Sequence, residues 1–335
     1  MRRFFKQSVD SEEKPSQIIM DGFAVRITCD ISSLSPERLA CIARIYSKFK
    51  ILNEPLMEAI ATRALVQIDL FEPKLLAMVA WAYANLKIAN GPLMEAIAIR
   101  AVAQIDRFEP KYLAFVALAY AELKMANGSL MEAIATRAVA QIDRFEPKYL
   151  AMIASAYAEL KIASEPLMEA IVSRVLVQIR IRHFDSIDLS DIAFACAVFG
   201  IHNERLMIEL AAQATAQIAG FHPELLIDLA WAYATLRIHN EPLMAAISLR
   251  VTAEIDQFNP ESLVQIAWAY ADLEIHDKPL MGAIASQTLI RISDFRSEQL
   301  IAISKAYATL GIYDKKFMKV IFSELSKLGP ELFYR

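Results

Sequence analysis

The chain has 335 residues, is 56% apolar, and carries a net charge of −4. With only 8 glycines and many alanines it favours helix, because Ala loses no side-chain entropy there and Gly loses the most backbone entropy. The charge excludes binding to nucleic acid by bulk attraction alone. Charged residues interrupt every apolar run before the roughly 18 residues a membrane span needs, and Cys29, Cys41 and Cys196 form neither a disulfide framework nor a zinc motif.

In chain order, the opening MRRFF is basic and aromatic, but Asp10, Glu12 and Glu13 follow it closely. Residues 1–15 therefore read as an extension holding at most the remnant of a transit peptide. The segment IMDGFAVRITCDI (19–31) aligns with LMEAIATRALVQI (56–68), placing Met20 against Met57 and Arg26 against Arg63. It predicts a lone capping helix, half a repeat, within 16–33.

From residue 34 the chain repeats itself; FEPKYLA stands at 108–114 and again at 145–151. Units begin at Leu34, Phe71, Phe108, Phe145, Phe184, Phe221, Phe258 and Phe295, every 37 residues except the fourth, which takes 39 because Arg182 and His183 lengthen its loop. The eight repeats are 34–70, 71–107, 108–144, 145–183, 184–220, 221–257, 258–294 and 295–331, followed by a tail at 332–335. A proline in EPK or SPE opens helix A of the first four repeats, where its missing N–H costs nothing, with Ser35 as a natural N-cap. A second proline in NEPLM or NGPLM opens a helix B. Neither helix is long enough to stand alone, so the pairs must bury their apolar faces on one another. The prediction is an all-α protein, an α-solenoid of about eight and a half helix–turn–helix repeats.

Counting from the first residue of each repeat as zero, apolar residues of helix A recur at offsets 5, 8, 9, 11, 12 and 15: Leu76, Val79, Ala80, Ala82, Tyr83 and Leu86 in the second repeat. They form a core stripe. Offsets 3, 7, 10 and 14 lie on the remaining face, and there the repeats stop agreeing. Offset 10 reads Arg44, Trp81, Leu118, Ser155, Phe194, Trp231, Trp268 and Lys305; offset 7 reads Cys41, Met78, Phe115, Met152, Asp191, Asp228, Gln265 and Ala302. These side chains either pack between adjacent A helices or face a ligand, since an aromatic stripe open to water calls for a cover.

Single-stranded RNA suits that stripe, because bases stack on aromatic rings and helical repeats can read about one base each. Asp191, Asp228 and Gln265 stand one turn before Phe194, Trp231 and Trp268, offering a hydrogen-bonding group beside each ring. Lys74, Lys111 and Lys148 at the start of helix A, and Lys50, Lys87, Lys124, Lys161 and Arg237 at its end, could meet phosphates; the second row also complements the helix dipole. Arg63, Arg100, Arg137, Arg174 and Arg250 predict a structural ladder to carboxylates or turn carbonyls, and Glu58, Glu95, Glu132 and Glu169 a solvated row. His202, His239 and His276 fall one per repeat in turns, too far apart to share a metal. No nucleophile–base pair, phosphate loop or metal motif is found, so catalysis, a metal and a cofactor are not expected. The rival reading is a solenoid that grips a protein, favoured by the apolar run Met78, Trp81, Phe115, Leu118 and Met152.

FNPESLVQIAWAYADLEI (258–275) and FHPELLIDLAWAYATLRI (221–238) resemble the octotricopeptide and heptatricopeptide repeats of organellar RNA-binding proteins. Those share an F-x-P-x-x-L…A-W-A-x-A-x-L core, and the repeats of FAST-kinase-like proteins and of kinetoplastid RNA-editing substrate-binding subunits are akin to them. The resemblance runs from about residue 16 to 331. It implies a right-handed superhelix binding single-stranded RNA in mitochondria or plastids, for RNA processing, translation or ribosome function, with protein subunits of an organellar complex as further partners. The concave face made by helix A would meet the RNA, through Trp81, Phe115, Phe194, Trp231 and Trp268 with Asp228 and Gln265.

Overall fold

A computed structural model describes residues 16–180 and 183–326. The expectations for the 1–15 extension, for Arg182 in the lengthened loop and for the KLGPELFYR stretch (327–335) lie outside the described residues. Among the described residues, 17 α-helices and no strand are found. A capping helix α1 (Gln17–Cys29) precedes eight A–B pairs. The A helices are α2 (Pro36–Lys48), α4 (Pro73–Asn85), α6 (Pro110–Glu122), α8 (Pro147–Leu160), α10 (Ser186–Val198), α12 (Pro223–Thr235), α14 (Pro260–Asp272) and α16 (Ser297–Thr309). The B helices are α3 (Glu54–Val66), α5 (Gly91–Ala103), α7 (Gly128–Ala140), α9 (Glu165–Gln178), α11 (Glu204–Ala216), α13 (Glu241–Ala253), α15 (Lys278–Ile290) and α17 (Lys315–Ser326). Two compact units divide the chain, one ending at Arg174 and one beginning at Val175. Within each, A helices pack chiefly on neighbouring A helices and B helices on their own A helix and on neighbouring B helices, which is α-solenoid packing.

The punctuation acts much as its chemistry dictates. Proline stands in the first turn of α2, α4, α6, α8, α12 and α14. Ser35 occupies the N-cap position of α2 but makes no cap bond to the backbone; its hydroxyl engages the Glu37 carboxylate instead. Side-chain capping is most regular at the B helices. The Asn53 side chain accepts from the Leu56 N–H at 3.0 Å, and Asn90, Asn127, Asn203, Asn240 and Asp277 do the same three residues upstream of their leucines.

Each A helix stops at a left-handed residue: Lys50, Lys87, Lys124, Lys161, Gly200, Arg237, Glu274 or Gly311, with φ from 51° to 63°. The following N–H then turns back to the carbonyl five residues earlier, as Ile88 does to Tyr83 at 2.9 Å, closing a Schellman cap. Lysine at that position carries backbone strain that glycine would not.

Leu76, Val79, Ala80, Ala82 and Tyr83 are fully buried, while Leu86 is only partly covered. Ala77 and Ala84 are buried as well, because an A helix lies between two others and so buries two flanks in addition to its base. The tyrosine at offset 12 ties successive pairs: Tyr46, Tyr233 and Tyr270 donate to the carbonyls of Met20, Met207 and Met244 at 2.7, 2.5 and 2.6 Å. Burial pushes the Tyr46 phenol up to about 12 and raises the others further, so the hydroxyls stay donors. In α10 this position holds Cys196, buried, with its thiol pushed up to about 12 by burial.

Candidate functional site

With its base and flanks buried, each A helix leaves offsets 3, 7, 10 and 14 as its open edge. In the first unit Lys74, Lys111 and Lys148 are exposed there, and Met78, Trp81, Phe115, Leu118 and Met152 are half-buried, whereas Ser155 is covered. The aromatic rings bridge successive helices. Trp81 and Phe115 stack with centroids 5.9 Å apart and planes at 19°, and Phe115 meets Tyr149 edge-on at 6.2 Å. The rings thus pack between A helices, Tyr149 buried and Trp81 and Phe115 half-buried. The lysines lean onto the same rings. Lys111 Nζ lies 5.7 Å from the Phe115 centroid and Lys148 Nζ 4.8 Å from that of Tyr149, with the Glu146 carboxylate 3.8 Å away from Lys148. Cation and ring attract through the quadrupole, which holds the positive row beside the stack. At the far end of these helices, burial and then Glu122 raise the Glu159 carboxyl, while Lys124 opposes the rise.

The second unit keeps the aromatics and changes the charge. Phe194 and Trp231 meet at 5.4 Å with planes at 39°, and Trp268 is 41% exposed. Asp191 and Asp228 are half-buried and Gln265 is exposed. The row that holds lysines in α4, α6 and α8 here holds Ile187, Glu224, Glu261 and Glu298. Glu261 is engaged by Arg296 at 3.2 Å and by Gln299 at 2.7 Å. Burial, and then the neighbouring Glu224, push the Asp228 carboxyl up to about 6. Among the described residues neither Glu224 nor Asp228 has a hydrogen-bond or ion-pair partner. The acidic row was legible in the sequence, at the same offset as the lysines, and following that offset through all eight repeats is the step that finds it.

Several members of the remaining ladders make structural contacts. Arg100, Arg137 and Arg174 each donate to the carbonyl of Asp69, Asp106 and Asp143 at 2.5 Å, with those carboxylates 3.8, 3.7 and 3.2 Å away. The glutamates of helix B do more than meet solvent: Glu58 and Glu95 accept from the capping side chains Asn90 and Asn127 at 3.1 and 3.2 Å, tying one B helix to the next cap. Lys50 Nζ donates to the Asn85 carbonyl at 3.0 Å, and so closes one A helix against its neighbour. Among the described residues no group of three or more His, Cys, Asp or Glu could hold a metal, and no helix is long and apolar enough to cross a membrane.

The family model described as RNA-editing substrate-binding complex 6 protein matches residues 18–253 and 228–332. Two overlapping matches are what a repeat array gives when one stretch of repeats can be laid on the same model twice. No curated protein matches the chain.

Proposed function

Because this chain belongs to the RNA-editing substrate-binding complex 6 protein family, we propose that it is a non-catalytic scaffold of an RNA-editing substrate-binding complex that holds single-stranded RNA on the A-helix edge of its first unit. We place it in an organelle, the mitochondrion or plastid that its resemblance to organellar RNA-binding repeats implies. The observation that carries the reading is the pairing of a lysine row with an aromatic stack on α4, α6 and α8: Lys111 over Phe115, Lys148 over Tyr149, and Trp81 on Phe115. Phosphates need cations, bases need ring faces, and this edge offers both within one side chain's reach. The fit to RNA is local, since the first unit holds 21 Lys and Arg against 20 Asp and Glu, close to neutral overall.

The test is anisotropy of a labelled random-sequence single-stranded RNA, for the full chain and for Lys74→Ala/Lys111→Ala/Lys148→Ala. All three lysines are exposed, so helicity by circular dichroism should be unchanged. The variant should bind about tenfold or more weakly. Its log–log salt slope should be shallower by about 2, at about 0.7 for each phosphate that a lysine no longer neutralises. Equal affinity and equal slope would remove the lysine row from the site.

A further inference from the structure

The second unit repeats the aromatic edge of the first in a form that repels phosphate. Its composition is 14 Lys and Arg against 19 Asp and Glu, a formal charge of −5 against +1 for the first unit. On its A-helix edge Phe194 and Trp231 touch, Trp268 is 41% exposed, and Glu224 and Asp228 lie within one or two turns of the Trp231 ring on the same face of α12. The cations on this edge are few: Arg296 is taken up by Glu261, and Lys305 stands on α16. An RNA strand laid here would bring its phosphates to the carboxylates of Glu224 and Asp228, and like charges brought together at an interface are a standard means of excluding a partner. A guanidinium has the opposite fit, because its plane stacks on Trp and Phe faces and its fork of N–H donors pairs with a carboxylate.

We infer that the A-helix edge of the second unit, built on Phe194, Trp231, Trp268, Glu224 and Asp228, is a docking surface for an arginine-rich polypeptide segment of another protein, and not for RNA. Charge complementarity selects the occupant. The burial of Asp228 beside Glu224, two acidic groups with no cation of their own, adds to the case, since an incoming guanidinium would relieve both the desolvation and the repulsion. The inference stands apart from the RNA reading of the first unit. Together they describe a chain that carries RNA on one unit and is held to a partner through the other.

The experiment is anisotropy of a labelled twelve-residue peptide of alternating arginine and glycine with the full chain at pH 7.5 and about 50 mM salt, beside the same peptide with glutamate for arginine. The arginine peptide should bind and the glutamate peptide should not. Glu224→Gln/Asp228→Asn and, separately, Trp268→Ala should each weaken the arginine peptide about tenfold, with RNA binding unchanged or tighter. The lysine triple variant should retain peptide affinity. That arm separates the two proposals, because RNA binding can fail while peptide binding holds. No binding of the arginine peptide, or affinity indifferent to the acid-to-amide changes, would overturn the inference. Weaker RNA binding in either second-unit variant would also overturn it, and would make this edge part of the RNA site.

Discussion

Asp228 is held well above the usual carboxylate range. Its carboxyl is pushed up to about 6 by burial and by Glu224, against about 3.9 in an unfolded chain. The folded protein therefore binds a proton more tightly than the unfolded one between about pH 4 and 6. In that window stability falls as pH rises, and above it the buried charge is a fixed penalty of about 1 kcal/mol once partial exposure is allowed for. Asp228→Asn should accordingly raise the melting temperature at pH 7.5 and leave it unchanged at pH 4. A variant less stable at pH 7.5 would mean that the carboxylate is held by contacts stronger than its desolvation. The tyrosines show the reverse case, a buried polar group fully satisfied. Each phenol reaches a methionine carbonyl 26 residues earlier, and a Tyr position of this kind could be recognised from the sequence as core but not as a clamp, because the carbonyl it meets carries no sequence signature.

At the scale of the element, the caps explain residues that composition leaves ambiguous. Six residues other than glycine stand in the left-handed region at the ends of A helices, and five of them are lysine or arginine. Gly200 and Gly311 occupy the same place in their own repeats, so the backbone itself asks for glycine. Lys124→Gly should raise the urea midpoint, by a stabilisation of about 1 kcal/mol. A lower midpoint would show that the lysine side chain makes contacts worth more than the strain. The boundaries of the helix pairs were readable from Pro and Asn, since both act locally. The buried flanks of the A helices were not: Ala77 and Ala84 sit off the apolar stripe and are covered only because α4 lies between α2 and α6. The aromatic edge was legible as a place where repeats diverge, but the ring-on-ring packing that half-buries Trp81 and Phe115 depends on the spacing of neighbouring helices, which a single-helix wheel does not contain.

At the scale of the whole molecule, the same scaffold position carries lysine in three of the first unit's four repeats, Glu37 being the exception, and glutamate in three of the second unit's four. The core positions that build the solenoid hold steady across that change, so charge on the edge varies without disturbing the fold. A net charge of −4 conceals this, being the sum of a nearly neutral unit and an acidic one. Ultraviolet crosslinking of the full chain to a single-stranded RNA, with adducts located by mass spectrometry, tests whether RNA lies on the lysine-bearing edge. Adducts are expected on peptides carrying Trp81, Phe115 and Tyr149. Adducts concentrated at Trp231 and Trp268, or none above a protein that binds no RNA, would contradict that placement.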